Sequence, residues 1–100
     1  MPAVKVPTLT QLRLLAVVQR TESLGAAARA LGLAQPTVSL RAQELERRCG
    51  VELFSRGMYT TYLTDEGRRV AEQAKRVLDE YEGLLVLIGS LTARRRPLGS

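Results

Sequence analysis

The sequence predicts a mainly α-helical fold of three short helices, a two-stranded hairpin and one long C-terminal helix. Two short apolar runs with helical spacing flank Gly32, which indicates two helices joined by a tight turn. After Gly50, a β-prone segment interrupts the helical spacing. The last third of the chain carries a heptad repeat of apolar residues, which is typical of a long helix that packs against another helix.

Composition limits the function classes that this fold can serve. The net charge of +5 favours an anionic partner, but the run Arg94 to Arg96 supplies three of these charges, so the placement of charge matters more than its total. The chain has no histidine and no glycine-rich phosphate loop, so we expect no enzyme, no metal and no cofactor. No apolar run is long enough to cross a bilayer, which predicts a soluble cytoplasmic protein without a membrane partner.

The first helix is predicted to follow a short arm. Residues 1–7 contain two prolines and no periodic pattern, and we expect them to form a flexible N-terminal arm. Thr8 followed by Gln11, or Thr10 alone, can cap a helix that runs to about Arg20. Its apolar face is formed by Leu9, Leu12, Leu15, Ala16 and Val18.

The next stretch, from Ser23 to Glu46, has the organisation of a helix-turn-helix. Ser23 is a good N-cap for the first helix of the pair, and Gly32 suits the left-handed backbone at its end. Pro36 falls in the first turn of the second helix, where its missing N–H costs nothing. The inward-facing residues are Leu24, Ala27, Ala28 and Leu31 in the first helix and Val38, Ala42, Leu45 and Cys49 in the second. We therefore interpret Cys49, the only cysteine, as a core residue rather than a reactive thiol.

Two β-prone segments follow, Val51 to Phe54 and Tyr59 to Leu63, and Gly57 can turn the chain between them. A hairpin at this place would be the wing of a winged helix-turn-helix domain covering residues 8–63, and an irregular loop is the alternative. Thr64, Asp65 and Glu66 then open a long helix over residues 64–92, and residues 93–100 are expected to be a disordered tail.

The long helix carries more apolar surface than one small domain can cover. Val70, Ala74, Val77, Tyr81, Leu84, Ile88 and Leu91 are spaced four, three, four, three, four, three, and Leu78 and Leu85 lie on a second stripe beside them. Such a helix spans roughly 40 Å, so packing against its own core accounts only for its first turns. We expect the remaining face to meet a second copy of the chain, and we interpret these nine residues as the dimerisation surface.

The second helix of the pair is the candidate contact with nucleic acid. Its outward face carries Thr37, Arg41, Glu44 and Arg48, with Gln35, Pro36 and Leu40 at its leading end. A helix in the major groove contacts bases with its N-terminal residues. Gln35 can pair with adenine and Arg41 with guanine or a phosphate, whereas Thr37 or Leu40 can contact a thymine methyl group.

Arg47 and Arg48, at the far end of this helix, are expected to contact phosphates. The alternative is a solvated polar face without a partner, and an exposed leucine at position 40 argues against it. The acidic residues of these helices, including Glu44 and Glu46, are interpreted as solvated surface.

At this point the residues resemble a known family. LTQLRLLAVV at residues 9–18, SLGAAARALGLAQPTVS at 23–39, GVELFSR at 50–56 and LTDEG at 63–67 stand in the order and spacing of the N-terminal DNA-binding domain of LysR-type transcriptional regulators. The resemblance implies a winged helix-turn-helix, a homodimer through linker helices and binding to an interrupted palindrome in promoter DNA. It also implies DNA contacts from Gln35, Pro36, Thr37 and Ser39 in the recognition helix and from Arg56 in the wing.

The sequence departs from the family pattern at several positions. Ala34 replaces a serine that would cap the recognition helix, Leu40 replaces a common arginine, and Ala42 replaces a bulkier aliphatic residue. The wing lacks its usual basic residues, so Tyr59 and Thr60 are left to donate hydrogen bonds to phosphates. An uncharged wing leaves open an alternative function, a protein-interaction module that does not bind DNA.

The family's effector-binding domain has no counterpart in this sequence, so a small-molecule effector is expected only if such a domain follows. Together with the final Gly99 and Ser100, which resemble a cloning remnant, this favours an excised DNA-binding domain over a natural stand-alone protein.

Overall fold

The computed structural model describes residues 6–57 and 60–94. Its elements are, in chain order, α1 (Leu9–Thr21), α2 (Leu24–Leu31), α3 (Gln35–Cys49), β1 (Phe54–Arg56), β2 (Thr61–Leu63) and α4 (Asp65–Arg94). The order of elements confirms the predicted mainly α winged helix-turn-helix with a long C-terminal helix.

The ends of the first three helices are set by local hydrogen bonds. At the start of α1, Thr8 and Gln11 form a capping box in which each side chain accepts a hydrogen bond from the other residue's backbone N–H. The Ser23 hydroxyl caps α2 by accepting from the Ala26 amide at 3.1 Å. Gly32 ends α2 with φ 68° and Gly50 ends α3 at the same φ, a left-handed backbone that glycine adopts without strain.

The core forms where α1 contacts the other three helices. The fully buried large side chains are Leu15 and Val18 of α1, Val38 and Leu45 of α3, and Leu53 just before β1. Leu31, predicted on the inward face of α2, is instead 40% exposed. It is the last residue of α2 and lies at the rim of a cleft between α1 and α3, where no element covers it.

The wing is a short antiparallel hairpin in which Phe54 pairs with Leu63, Ser55 with Tyr62 and Arg56 with Thr61. The first strand begins three residues later than predicted. The reason is Glu46 of α3, whose Oε2 accepts hydrogen bonds from the backbone amides of Leu53 at 2.9 Å and Phe54 at 3.0 Å. The interpretation of Glu46 as solvated surface was therefore wrong, because its carboxylate holds the start of the wing against α3.

The wing connects to α4 through a tight junction. The Thr64 hydroxyl accepts from the Gly67 amide at 2.9 Å, as predicted for a cap, and donates to the Glu52 carbonyl at 2.7 Å. Gly67 lies against the carbonyl oxygen of Leu53, so close that a Cβ atom at this position would be 2.1 Å from that oxygen. Only glycine fits this contact without a shift of the backbone.

The first half of α4 belongs to the domain rather than to a partner surface. Ala71 and Ala74 are buried, and Val70 packs against the same core because α4 lies along α1. Val70 and Ala74 were predicted in the dimerisation surface, but Ala74 is only 3% exposed and the chain itself covers it. Arg13 of α1 and Glu82 of α4 mark the end of this contact with an ion pair at 3.2 Å.

Beyond this ion pair α4 projects from the domain, and the described chain including this helix measures 58 × 39 × 22 Å along its principal axes. Leu84, Leu85, Ile88 and Leu91 are each between 42% and 49% exposed, Val77 is exposed, and Leu78 and Tyr81 are half-buried. The helix continues through Ala93 and Arg94, two residues past its predicted end, and the rest of the predicted tail lies outside the described residues. None of the helices in the described ranges has the length and hydropathy needed to cross a bilayer.

Candidate nucleic-acid interface

Helix α3 presents one face to the core and the opposite face to solvent. Val38, Ala42 and Leu45 are buried. Successive residues of a helix are rotated by about 100°, so Pro36, Leu40 and Arg47 project from the opposite side. The Leu40 side chain is 66% exposed, and Pro36 and Arg47 are also exposed. The outermost stripe of α3 is therefore apolar over its first half and basic near its end.

The flank of α3 towards α1 differs from the prediction. Arg41 and Glu44 line a cleft with Thr10 and Gln11 of α1, so Arg41 lies at the edge of the outward face and not at its centre. Arg48 faces Glu44 at 3.6 Å and donates from Nη1 to the Val6 carbonyl at 3.3 Å. Its charge is thus engaged within the chain, whereas Arg47 at the same end of α3 is exposed and makes no ion pair within the described residues.

The flank of α3 towards the wing brings polar side chains together. Ser39 and Gln43 of α3, Arg56 of β1 and Thr61 of β2 line one recess. Arg56 and Thr60 are exposed at the two sides of the hairpin turn, which the Gly57 amide closes by donating to the Thr60 carbonyl at 2.7 Å. Tyr59, predicted as a wing contact, lies outside the described residues.

The leading end of α3 packs on α2 through Gln35. The Gln35 Oε1 atom lies 3.7 Å from the position that a Cβ of Gly25 would occupy, and Nη1 of Arg29 lies 3.9 Å from the same position. Gln35 and Arg29 therefore both lie beside Gly25, at ordinary van der Waals distance from this position. The sequence analysis did not include Arg29 among the candidate contact residues. Its position in the last turn of α2, next to the predicted recognition helix, could have indicated it.

The arginines around α3 are largely unneutralised. Within residues 6–57 and 60–94, the ion pairs involve Arg13, Arg48, Arg68 and Lys75, and none involves Arg29, Arg41, Arg47 or Arg56. Four cations without a carboxylate partner thus surround the exposed face of α3. An anionic ligand that covers this face would neutralise them at little cost in broken contacts.

Most of the predicted DNA-contact residues lie on the first half of α3 or on the wing beside it. These are Gln35, Pro36, Thr37, Ser39, Leu40 and Arg41 of α3 together with Arg56 and Thr60 of the wing. Cys49 lies at the other end of α3 and packs against the core, where burial raises the pKa of its thiol. In the part of the chain that the structure describes, no group of three or more acidic or cysteine side chains could hold a metal ion.

Comparison with known proteins gives a consistent result. Residues 9–68 match the family model for bacterial regulatory helix-turn-helix proteins of the lysR family. A probable hydrogen peroxide-inducible genes activator of Mycobacterium xenopi is 41% identical over 73 residues, which are 73% of this chain and 39% of that protein. An uncharacterized HTH-type transcriptional regulator of Mycobacterium bovis is 37% identical over 92% of this chain and 30% of its own length. The chain thus spans well under half the length of these relatives.

Solved structures share the fold. The DNA-binding domain of BenM in complex with a catB site DNA superposes with a TM-score of 0.81 at 27% identity, covering 89% of this chain and 100% of that chain. Full-length OxyR of Pseudomonas aeruginosa superposes with a TM-score of 0.76 at 32% identity over 84% of this chain and 28% of its own. The matched family is one of regulators and not of enzymes. The chain therefore belongs to the lysR family of bacterial regulatory helix-turn-helix proteins, and it carries the winged helix-turn-helix DNA-binding domain of a transcriptional regulator.

Proposed function

We propose that this chain binds a specific sequence of double-stranded promoter DNA as a homodimer and thereby regulates transcription in the bacterial cytoplasm. The observation that carries the proposal is the outward face of the first half of α3, together with four arginines of α2, α3 and the wing that have no carboxylate partner within residues 6–57 and 60–94. Duplex DNA is the polyanion whose major groove admits such a helix. The fold of the BenM domain solved with DNA supports this assignment.

We assign the roles by position on the surface. Gln35, at the leading end of α3, pairs with an adenine, and Ser39 on the wing side contacts a base or a phosphate. We call the outward side of the first half of α3, from Gln35 to Leu40, the reading face. Phosphates next to it are contacted by Arg29, Arg41 and Arg47. In the wing, Arg56 and the hydroxyl of Thr60 also contact phosphates. Arg48 stays with Glu44 and the Val6 carbonyl and contributes little.

The DNA-binding proposal is tested by selecting duplexes from a random pool and measuring the affinity of the full chain for the selected duplex and a scrambled one. Gln35→Ala should reduce the ratio of the two affinities about tenfold, because one bidentate base contact is lost. The matched control is Gln73→Ala on α4, which should leave the ratio unchanged. Equal affinity of the wild-type chain for both duplexes would refute sequence specificity.

The phosphate contacts have their own signature. Arg47→Ala should weaken binding to both duplexes alike and reduce the slope of log affinity against log salt by about one. Arg76→Ala is the control, because it removes one positive charge from α4, away from α3. It should leave the slope of log affinity against log salt nearly unchanged, since salt screens charges that are far from the DNA. If no duplex binds even at low salt, the alternative of a protein-interaction module replaces the proposal.

The homodimer is proposed from the projecting half of α4. Leu84, Ile88 and Leu91 form one stripe of half-exposed side chains that the rest of the described structure does not cover. Two such stripes packed together bury each other, and the two α3 helices then reach the two halves of an interrupted palindrome. The linked half-sites multiply the affinity of one domain.

Sedimentation equilibrium tests the dimer. Leu84→Asp with Ile88→Asp should give monomers and reduce affinity for a palindromic duplex at least tenfold, because the second half-site is no longer linked. Val86→Asp, on the opposite side of the same helix and 73% exposed, is the matched control and should remain dimeric. A wild-type chain that sediments as a monomer at high concentration would contradict the proposal.

The relatives are longer than the matched segment. We propose that any small-molecule effector is bound by a further domain of the whole protein and not by the residues described here.

A further inference from the structure

The centre of the proposed reading face is apolar. Leu40 projects from the side of α3 opposite Val38 and is the most exposed large apolar side chain of the helix-turn-helix, at 66%. Pro36, one turn earlier on the same stripe, is also exposed. Neither side chain can donate a hydrogen bond or pair with a phosphate. The arginines that could do so lie to the side of them, as Arg41 does, or further along the helix, as Arg47 does.

The charges around Leu40 determine what can cover it. Arg41 follows Leu40 in α3, Arg47 lies two turns further along the same stripe, and Arg29 of α2 lies beside Gln35, and none of the three has a carboxylate partner in the described part of the chain. An apolar protein surface placed on Leu40 would have to bury these cations without compensation. Duplex DNA offers phosphates to the arginines at the edge and the floor of the major groove to the centre.

Only one group on that floor suits a leucine. The other base edges in the major groove are hydrogen-bond donors or acceptors, which lose water without gaining a partner when an aliphatic side chain covers them. The 5-methyl group of thymine is the apolar feature of the groove.

We propose that Leu40, with Pro36 beside it, recognises a thymine in each half-site through the 5-methyl group of that base. This inference rests on the proposed DNA-binding function and specifies what the centre of the reading face recognises. Each half-site should therefore contain an invariant thymine at the base pair that faces the middle of α3. Replacing this thymine by uracil removes the methyl contact but keeps the base pair.

Thymine-to-uracil substitution provides the test. In the duplex selected from a random pool, each thymine is replaced singly by deoxyuridine, which pairs with adenine but lacks the methyl group. Affinity of the wild-type chain should fall about fourfold at one thymine per half-site, the factor expected for burial of one methyl-sized group. Deoxyuridine at the other thymines should change the affinity less than twofold.

A double-mutant cycle assigns the contact to Leu40. Leu40→Ala should lower affinity for the thymine duplex and should lose its sensitivity to deoxyuridine at the same position. Because Leu40 is exposed, this variant is expected to fold as the wild type does, and Val86→Ala is the matched exposed control that keeps full sensitivity.

Two results would overturn the inference. One is specific binding by the wild-type chain with no deoxyuridine effect at any thymine, and the other is an equal effect in Leu40→Ala and the wild type. Both leave sequence-specific binding itself intact, whereas loss of any preference over the scrambled duplex refutes the proposed function instead.

Discussion

Two glycines of α4 should respond to the same substitution with opposite signs. Gly67 packs on the backbone carbonyl of Leu53, and a Cβ atom there would lie 2.1 Å from the oxygen. Gly83 lies in the projecting half of the same helix, and its Cβ would meet nothing within 4 Å. Gly67→Ala should therefore destabilise the domain, and Gly83→Ala should stabilise it.

The magnitudes follow from the two environments. At position 67 the carbonyl and the new methyl group must separate by about 1 Å, and overpacking of this kind costs about 1–3 kcal/mol. The shift also disturbs the 2.9 Å hydrogen bond from the Thr64 amide to the Leu53 carbonyl, which adds about 1 kcal/mol. The higher helix propensity of alanine stabilises the helix by less than about 1 kcal/mol, so the free energy of unfolding should fall by about 2 kcal/mol in total. At position 83 only the propensity changes, and the free energy of unfolding should rise by about 0.5–1 kcal/mol.

Thermal unfolding at one fixed protein concentration measures both effects, because dimerisation would make the midpoint depend on concentration. A loss of 2 kcal/mol lowers the Tm of a domain of this size by about 8–16 °C, and the gain at Gly83 raises it by about 2–8 °C. If Gly67→Ala is as stable as the wild type, the tight junction between the wing and α4 does not exist as described.

Three further substitutions or measurements test other local features. Glu46→Ala removes the acceptor of two backbone amides at the start of the wing and should cost about 2–3 kcal/mol in urea unfolding, whereas Glu44→Ala, whose carboxylate only faces Arg48 at 3.6 Å, should cost less than about 0.5 kcal/mol. Glu22 ends α1 with a left-handed φ of 74°, so Glu22→Gly should stabilise the domain by up to about 1 kcal/mol, and a loss of stability would contradict the strain. Burial raises the pKa of the Cys49 thiol, so its alkylation at mildly alkaline pH should be slower in the native chain than in urea, and equal rates would show that the thiol is not protected.

The elements that were predicted correctly depend on local sequence. A capping serine, a glycine after an apolar run and a proline in a first turn act within four residues, so the ends of α2 and α3 could be placed without knowledge of the rest of the fold. The proposal that α3 is the recognition helix started from the same signals together with its polar face.

The features that were missed depend on contacts distant in sequence. Glu46 looked like any surface carboxylate until the fold brought the amides of Leu53 and Phe54 to it. The heptad spacing in α4 predicts a helix-packing surface but not which surface covers each residue, so Val70 and Ala74 were predicted to face another chain although Val70 packs against the domain's own core and Ala74 is buried. The contact of Arg48 with the Val6 carbonyl joins residues that are 42 positions apart, so the sequence pattern did not indicate it.

The length of α4 has a mechanical consequence for the proposed dimer. The helix has 30 residues, about 45 Å, and one continuous rod joins the half that α1 holds to the half that meets the partner. A tilt of about 10° at the partner end displaces the DNA-reading end by about 8 Å, more than two base-pair steps, if the rod does not bend. Gly83, at the boundary between the two halves, makes the rod more compliant there than alanine would. Stiffening it with alanine should therefore narrow the range of half-site spacings that the dimer accepts while the protein becomes more stable.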